Sequence, residues 1–306
     1  MTFDVVVLGG CGVDTIVRVD ELAVPVDAGD GIVVPPIRDY AAHSGNGVAL
    51  GCHALGLRTA FADFLGDDPQ GRVILDRYAR AGLDFRYLPA PNGTPRSVNL
   101  VDREGRRFSF FDGRHPADLR LPSELVLPLL EQAGHAHLSN GATTIDVFAE
   151  TARLGSTTST DIHAWDGRTP APHAQYADVV FLSAAALQDA CADAMRTLIG
   201  NGRAKLVVAT DGSRGCRVLS RAEMRVRQYP AIRPERPVLD SNGAGDAFST
   251  AFLSRWLAGA DLDECALAGA VSGAFACGSA GTHEEFIGPA ELAAACAKAR
   301  AAWPAG

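Results

Sequence analysis

The hydrophobic pattern of this chain predicts an α/β fold: a mostly parallel sheet covered by helices on both faces, with a small β-sheet projecting from it. Three observations carry that reading. Short apolar, β-branched runs alternate with longer helical ones along most of the 306 residues. The first run, Phe3–Leu8, is closed by Gly9 and Gly10, as expected of a strand buried on both faces. Around residues 13–38 and 96–111 the alternation gives way to β-only pieces, which places a β lid over the C-terminal edge of the sheet.

After the first strand, Asp14 leads into the β-branched run Thr15–Val19. Asn46–Leu55 has a helical pattern ended at Gly56, Thr59–Phe64 reads as a strand, and Pro69–Ala81 as a helix stopped by Gly82. Ser97–Val101 and Arg107–Phe111 flank Asp102–Arg103–Glu104–Gly105, a hairpin signal. The α/β rhythm then resumes with His135–Leu138, Ile145–Leu154, Thr158–Ile162, Val179–Leu182, Asp189–Ile199 and Leu206–Thr210. Two late helices, Gly243–Leu257 and Leu262–Ala280, complete the helical layers. No repeat or low-complexity linker divides the chain, so residues 1–306 read as one domain with the lid inserted.

Composition narrows the function. With 47% hydrophobic and 21% charged residues the chain can bury a substantial core. No apolar run approaches the ~20 residues of a membrane span, and Met1–Gly12 lacks the marks of a signal peptide. The seven cysteines are scattered, without a C-x-x-C pair, which argues for a reducing cytoplasm and against a disulfide framework or zinc knuckle. A net charge of −8 without basic clusters makes nucleic acid a poor partner. Only Lys205 and Lys298 are lysines, and neither lies near a glycine-rich loop, which excludes P-loop and protein-kinase chemistry. A phosphate must therefore be held by backbone N–H groups, arginine or a metal ion.

The run Val238–Leu239–Asp240–Ser241–Asn242–Gly243–Ala244–Gly245–Asp246–Ala247–Phe248 supplies such a site. Gly243 and Gly245 let consecutive N–H groups turn toward one anion at the positive end of the following helix. Asp246, in the first turn, is placed to take a proton from whatever the anion reacts with. A primary alcohol is a poor nucleophile at neutral pH, and an ionised, well-aimed carboxylate suffices for a loose phosphoryl-transfer transition state. Gly243, Ala244 and Gly245 would stabilise charge on the transferring group, each such donor being worth ~3 kcal/mol in comparable oxyanion holes.

These residues carry a resemblance. Asp240–Phe248 is similar to D-T-x-G-A-G-D-x-F, the C-terminal signature of the ribokinase-like, PfkB carbohydrate kinase family. Phe64–Gly71 resembles the family's G-x-D-x-x-G element, and Thr210–Gly215 its T-x-G-x-x-G nucleotide loop. The resemblance covers nearly the whole chain. It implies a three-layer α/β/α sandwich with a β-sheet lid. It also implies transfer of the γ-phosphate of ATP to a hydroxymethyl group of a sugar, with Mg²⁺ and often a monovalent cation such as K⁺. Nucleoside or sugar-phosphate acceptors, and an inactive binding protein on the same fold, stay open. By the same resemblance Thr210, Gly212, Gly215, Asn242 and Ser183 belong to the nucleotide site, Asp240 and Ser279 to a monovalent cation, and Asp14 to vicinal acceptor hydroxyls. Lids of this kind can pair between subunits, which allows a homodimer.

Departures from the family pattern cluster at the acceptor. Where G-G-x-x-x-N is usual, the chain has Ala42–His43–Ser44–Gly45–Asn46–Gly47, so Gly45, Asn46 and His43 are acceptor candidates, and Gly12 stands two before Asp14. The N-x-x-E motif expected after Val179–Leu182 is Ser183–Ala184–Ala185–Ala186, which removes the acidic group that would organise Mg²⁺-bound water. Arg96 and Asn99 on the lid, with Arg114 after it, are candidates for an anionic acceptor, although solvated edge arginines are common. His135 with His137, and Asp161 with His163, share strand faces but lack a third ligand of recognisable spacing. Gly9–Gly10–Cys11–Gly12 could open a dinucleotide fold, yet it runs into the strand Thr15–Val19 rather than a helix.

Overall fold

The computed structural model describes residues 1–22, 31–103 and 105–304. In chain order the elements are β1 (Phe3–Leu8), β2 (Gly12–Arg18), β3 (Arg38–Ala42), α1 (Ser44–Ala54), β4 (Thr59–Leu65), α2 (Pro69–Ala81), β5 (Asp84–Pro89), β6 (Arg96–Val101) and β7 (Arg107–Asp112). They continue with α3 (Ser123–Leu130), β8 (Ala133–Leu138), α4 (Val147–Leu154), β9 (Thr157–Asp161), α5 (Pro172–Tyr176), β10 (Val179–Ser183), α6 (Cys191–Asn201) and β11 (Leu206–Thr210). The last are β12 (Cys216–Ser220), β13 (Val226–Tyr229), α7 (Ala244–Leu257), α8 (Leu262–Ala276) and α9 (Pro289–Ala299).

Among the described residues the main sheet has nine strands in the order β13-β12-β11-β10-β9-β8-β1-β4-β5. Pairing is parallel from β5 through β11 and antiparallel for β12 and β13. Alternation along β1 shows why the sheet is buried twice. Val6 and Leu8 pack with Leu129, Val147 and Phe148 on one side, while Val5 and Val7 pack with Val48, Leu50 and Ile74 on the other. Phe181 and Val208 meet Phe248 and Phe252 of α7 on that second side. Helices therefore cover both faces, which gives the ribokinase-like three-layer sandwich.

A second sheet, β3-β2-β6-β7, stands apart from the first. Its register puts Asp14, Ser97 and Phe111 on one face and Thr15, Val98 and Phe110 on the other. Part of the expected 13–38 segment, residues 23–30, and Glu104 of the hairpin turn lie outside the described residues.

Several elements escaped the sequence reading. β5, β12, β13, α3 and α9 fall in stretches where charged or proline residues blur the period; β5, for instance, is an edge strand with mixed exposure. Leu262–Ala280 is also too long: α8 stops at Ala276, where the Cys277 carbonyl accepts from the Leu239 and Asp240 N–H groups. The chain then turns back at Gly281, with φ of +124°, toward the start of α7.

Candidate active site

The anion loop ends at Gly243, whose φ of +80° only glycine adopts at little cost, and α7 begins at Ala244. A Cβ at Gly245 would meet nothing within 4 Å, so the space in front of the helix terminus is open. Ala244 N–H bonds to Ser241 O at 3.3 Å, whereas among the described residues Gly243 and Gly245 N–H find no protein acceptor. Two of the three expected donors are thus directly available to an anion.

Asp246 stands in the first turn of α7, and its Oδ2 lies 2.8 Å from Nε2 of His283. His283 Nδ1 is 2.9 Å from Asn46 Nδ2, which also reaches Ala41 O at 3.1 Å. Asn46 is completely buried, so its link to the site runs through His283 rather than through open solvent. Gly45 is likewise a packing glycine: a Cβ there would come within 1.8 Å of Gly9 O.

The side expected to receive the acceptor is built on the second sheet. Asp14 Oδ2 accepts from Asn242 Nδ2 at 2.8 Å and Thr282 Oγ1 at 2.9 Å. His43, at φ +73°, lays its ring over Gly12, where a Cβ would come within 2.1 Å of the imidazole. Its Nε2 lies 3.3 Å from Ser97 Oγ and 3.9 Å from Asp14 Oδ1, and burial holds its pKa below the ordinary histidine value. Phe111 sits 5.6 Å from His43 between ring centroids yet is 67% exposed, a half-built aromatic wall. His163 follows β9, and its hydrogen bond and charge contact with Asp161 raise its pKa.

Two expected residues, Arg96 and Asn242, sit elsewhere than the sequence suggested. Arg96 bonds to Thr15 Oγ1 at 2.8 Å and pairs with Asp39, on the sheet face opposite Asp14, because its register there is fixed. Asn242, expected at the nucleotide, turns to Asp14 and accepts from Arg107. Asp240 is ion-paired with Arg18 at 2.7 Å while its other oxygen accepts from Asn242 N–H at 2.9 Å. Ser279 is buried in the loop after α8. Ser183 and Thr210 end the neighbouring strands β10 and β11, directly paired. Beyond them Gly212, at φ +54°, has an open side, but Gly215 is explained by packing, since a Cβ would fall 2.0 Å from Tyr229 O. His135 and His137 are core residues bonded to Thr157 and Ser159 hydroxyls, and burial pushes their pKa values down to about 3 and about 4.

Sequence reasoning missed His283, Thr282, Arg18 and Arg107. The only signal for His283 was Gly47, a glycine inside a helix with no turn to explain it. Arg18 and Arg107 both reach from the second sheet to the 239–242 loop, fastening the two parts of the site together.

Comparison with known proteins gives the same reading. The family model for pfkB family carbohydrate kinases matches residues 2–286. Acarbose 7(IV)-phosphotransferase of Actinoplanes sp. is 48% identical over 292 residues, 94% of this chain and 97% of the relative. Fructoselysine 6-kinase of Escherichia coli is 29% identical over 245 residues, covering 77% and 90%. A solved microbiome-derived acarbose kinase superposes with a TM-score of 0.89 at 43% identity, covering 97% of this chain and all of that one. Arabidopsis thaliana ribokinase, solved with ribose and ATP, shares the fold at a TM-score of 0.82 and 20% identity. With the anion loop, the helix-borne aspartate and a family match over nearly the whole chain in hand, the protein belongs to the pfkB family of carbohydrate kinases.

Proposed function

We propose that this kinase transfers the γ-phosphoryl group of ATP to a hydroxymethyl group of an acarbose-like oligosaccharide. The acceptor hydroxyl, lying between Asp14 and Asp246, attacks γ-phosphorus. The new P–O bond forms as the bond to the β–γ bridging oxygen breaks; the proton passes to Asp246, and ADP leaves. Gly243 and Gly245 N–H groups stabilise the charge on the transferring phosphoryl. The adenine nucleotide lies along the ends of β10 and β11, near Ser183, Thr210 and Gly212. The observation that carries the acceptor class is the kinship itself: a 48% identical relative and a 43% identical structure are both named for acarbose. The exposed Phe111, beside His43 and on the same sheet face as Asp14, supports it, because sugar C–H faces pack on aromatic rings.

Magnesium fits this site only through the nucleotide. Among the described residues no group of three His, Cys, Asp or Glu side chains is placed to hold a metal, and Ser183–Ala186 carries no carboxylate. Nucleotide phosphates and water would hold the ion, which would supply charge neutralisation to the transferring phosphoryl. A monovalent cation fits poorly, since Arg18 already balances Asp240, and no step is assigned to one. On the outer face of the second sheet, Phe108 and Phe110 are exposed and stack edge to face at 5.1 Å, a surface suited to a second copy of the chain. No described helix is long and apolar enough to cross a membrane.

The test is ADP release across acarbose, maltotriose, ribose, fructose, fructoselysine and adenosine. Release with acarbose that disappears in Asp246→Asn supports the reading. Release only with ribose or adenosine overturns the acceptor class, and ligand binding without release from any acceptor makes the chain a binding protein.

A further inference from the structure

We infer that His283 is a positioning residue for phosphoryl transfer: through a fixed Nε2–H it holds the Asp246 carboxylate in one orientation, and its imidazole occupies the space that Cβ atoms on Gly47 and Gly243 would need. This rests on the reading of Asp246 as the base.

The direction of the hydrogen-bond chain follows from its far end. Asn46 Nδ2 lies 3.1 Å from Ala41 O, and a carbonyl only accepts, so the amide nitrogen rather than the oxygen must face it. Turning the amide over would set two oxygens against each other. The same NH₂ group therefore donates to His283 Nδ1 at 2.9 Å. Nδ1 is then the unprotonated ring nitrogen, and the ring proton sits on Nε2, which donates to Asp246 Oδ2 at 2.8 Å. His283 is a donor here, not a second base. Oδ1 of Asp246 is left for the acceptor hydroxyl.

Packing fixes the imidazole as firmly as the hydrogen bonds do. A Cβ on Gly47 would fall 2.5 Å from His283 Nε2 and 2.7 Å from Asp246 Cβ. One on Gly243 would fall 2.6 Å from His283 Cδ2. The ring thus wedges between α1 and the anion loop and touches both the base and the cradle. Its backbone is held at φ +57°, a conformation that needs support in a non-glycine residue. Arg77 of α2 supplies that support by donating to the His283 and Glu284 carbonyls, each at 3.1 Å. Phe286 stacks on the ring at 5.9 Å and 19°. A histidine only 5% exposed, with both nitrogens committed, cannot reorient to follow the substrate; it can only fix what it touches.

Steady-state kinetics on His283→Phe and His283→Gln test this. Phenylalanine fills the space without a donor, while the glutamine amide can bring N–H to where Nε2 stands. The expected result is a kcat lowered ~30-fold in His283→Phe, with KM for ATP and acceptor within ~3-fold, and recovery to within ~5-fold of wild type in His283→Gln. Unchanged kcat in His283→Phe, or equal losses in both variants, overturns the inference. Should His283→Phe fail to fold, Gly47→Ala decides: its methyl displaces the ring, so kcat should fall at least ~10-fold with ADP binding retained, and an unaltered kcat overturns the inference. Asp246→Asn separates the two layers. If that variant keeps full activity, the base assignment itself fails; if it is inactive while His283→Phe is not, only the positioning role fails.

Discussion

The anion loop and the inner face of the second sheet meet at one site but are made differently. Around Asp246 the parts are backbone amides, two glycines, Gly47 and Gly243, with no room for a methyl group, and a buried histidine bonded at both nitrogens. Around Asp14 they are a half-exposed aromatic wall, arginines spanning from strand to loop, and a histidine held by weaker contacts at 3.3 and 3.9 Å. At the first end, packing fixes Gly47, Gly243 and His283 and leaves open only the space in front of Gly245. The second can be re-cut by substituting side chains on one small sheet.

The contrast can be broken by mutation and by pH. The largest expected effect is at Asp246: Asp246→Asn should lower kcat by ~10³ with little change in ATP affinity, measured by coupled ADP release. Gly243→Ala comes next, at ~10² in kcat, because the methyl meets His283 and the residue is held at φ +80°. A loss below ~3-fold there would mean that the anion loop is less constrained than its packing says.

Histidines away from the site report on the core instead. His135 and His137 have pKa values pushed down to about 3 and about 4 by burial, against 6.5 unfolded. Between those values and pH 6.5 the unfolded chain binds protons that the folded one does not, so stability is full above pH 6.5 and falls as pH drops. By pH 5 the loss should approach ~2 kcal/mol per histidine, at 1.36 kcal/mol per pH unit. Asp63 opposes this, because burial raises it to about 7 and its contribution declines as pH rises from about 4 toward that value. Urea unfolding of His135→Gln isolates the histidine: its stability should vary less with pH between 4.5 and 6.5 than that of the wild type. An unchanged slope would count against the buried neutral imidazole.

At the acceptor end the effects should be smaller and confined to KM. Phe111→Ala is expected to raise KM for acarbose ~10-fold and leave KM for ATP unaltered. A fall in kcat of similar size with constant KM would erase the distinction between the two ends. Smallest of all is the response to potassium: replacing sodium by potassium at constant ionic strength should change the rate less than ~2-fold, since Arg18 already neutralises Asp240. Strong activation would show that Arg18 gives way to the ion.

Legibility in the sequence follows the same line. Asp240–Asp246 stands out in the sequence because a backbone anion site, the role proposed for it, needs glycines in a fixed order, and order is what a sequence displays. The parallel sheet was visible in runs such as Phe3–Leu8, which are apolar because both faces are covered. The arrangement of His283, by contrast, depends on three segments far apart in the chain, at 41–47, 243–246 and 283, and no local pattern announces it. Arg96 lies on the strand expected at the acceptor, but strand faces alternate, and a register that pairs it with Val13 turns it to the face of Thr15. Asn242 looked like part of the nucleotide loop, and only the folded chain shows it serving Asp14.

The most direct test of the account is the phosphorus spectrum of the product formed from acarbose and ATP. One new phosphate monoester, equimolar with ADP and coupled to two methylene protons, is the result expected if the second sheet presents a hydroxymethyl group to Asp246. Inorganic phosphate as the sole product, or an ester coupled to a single methine proton, would contradict it.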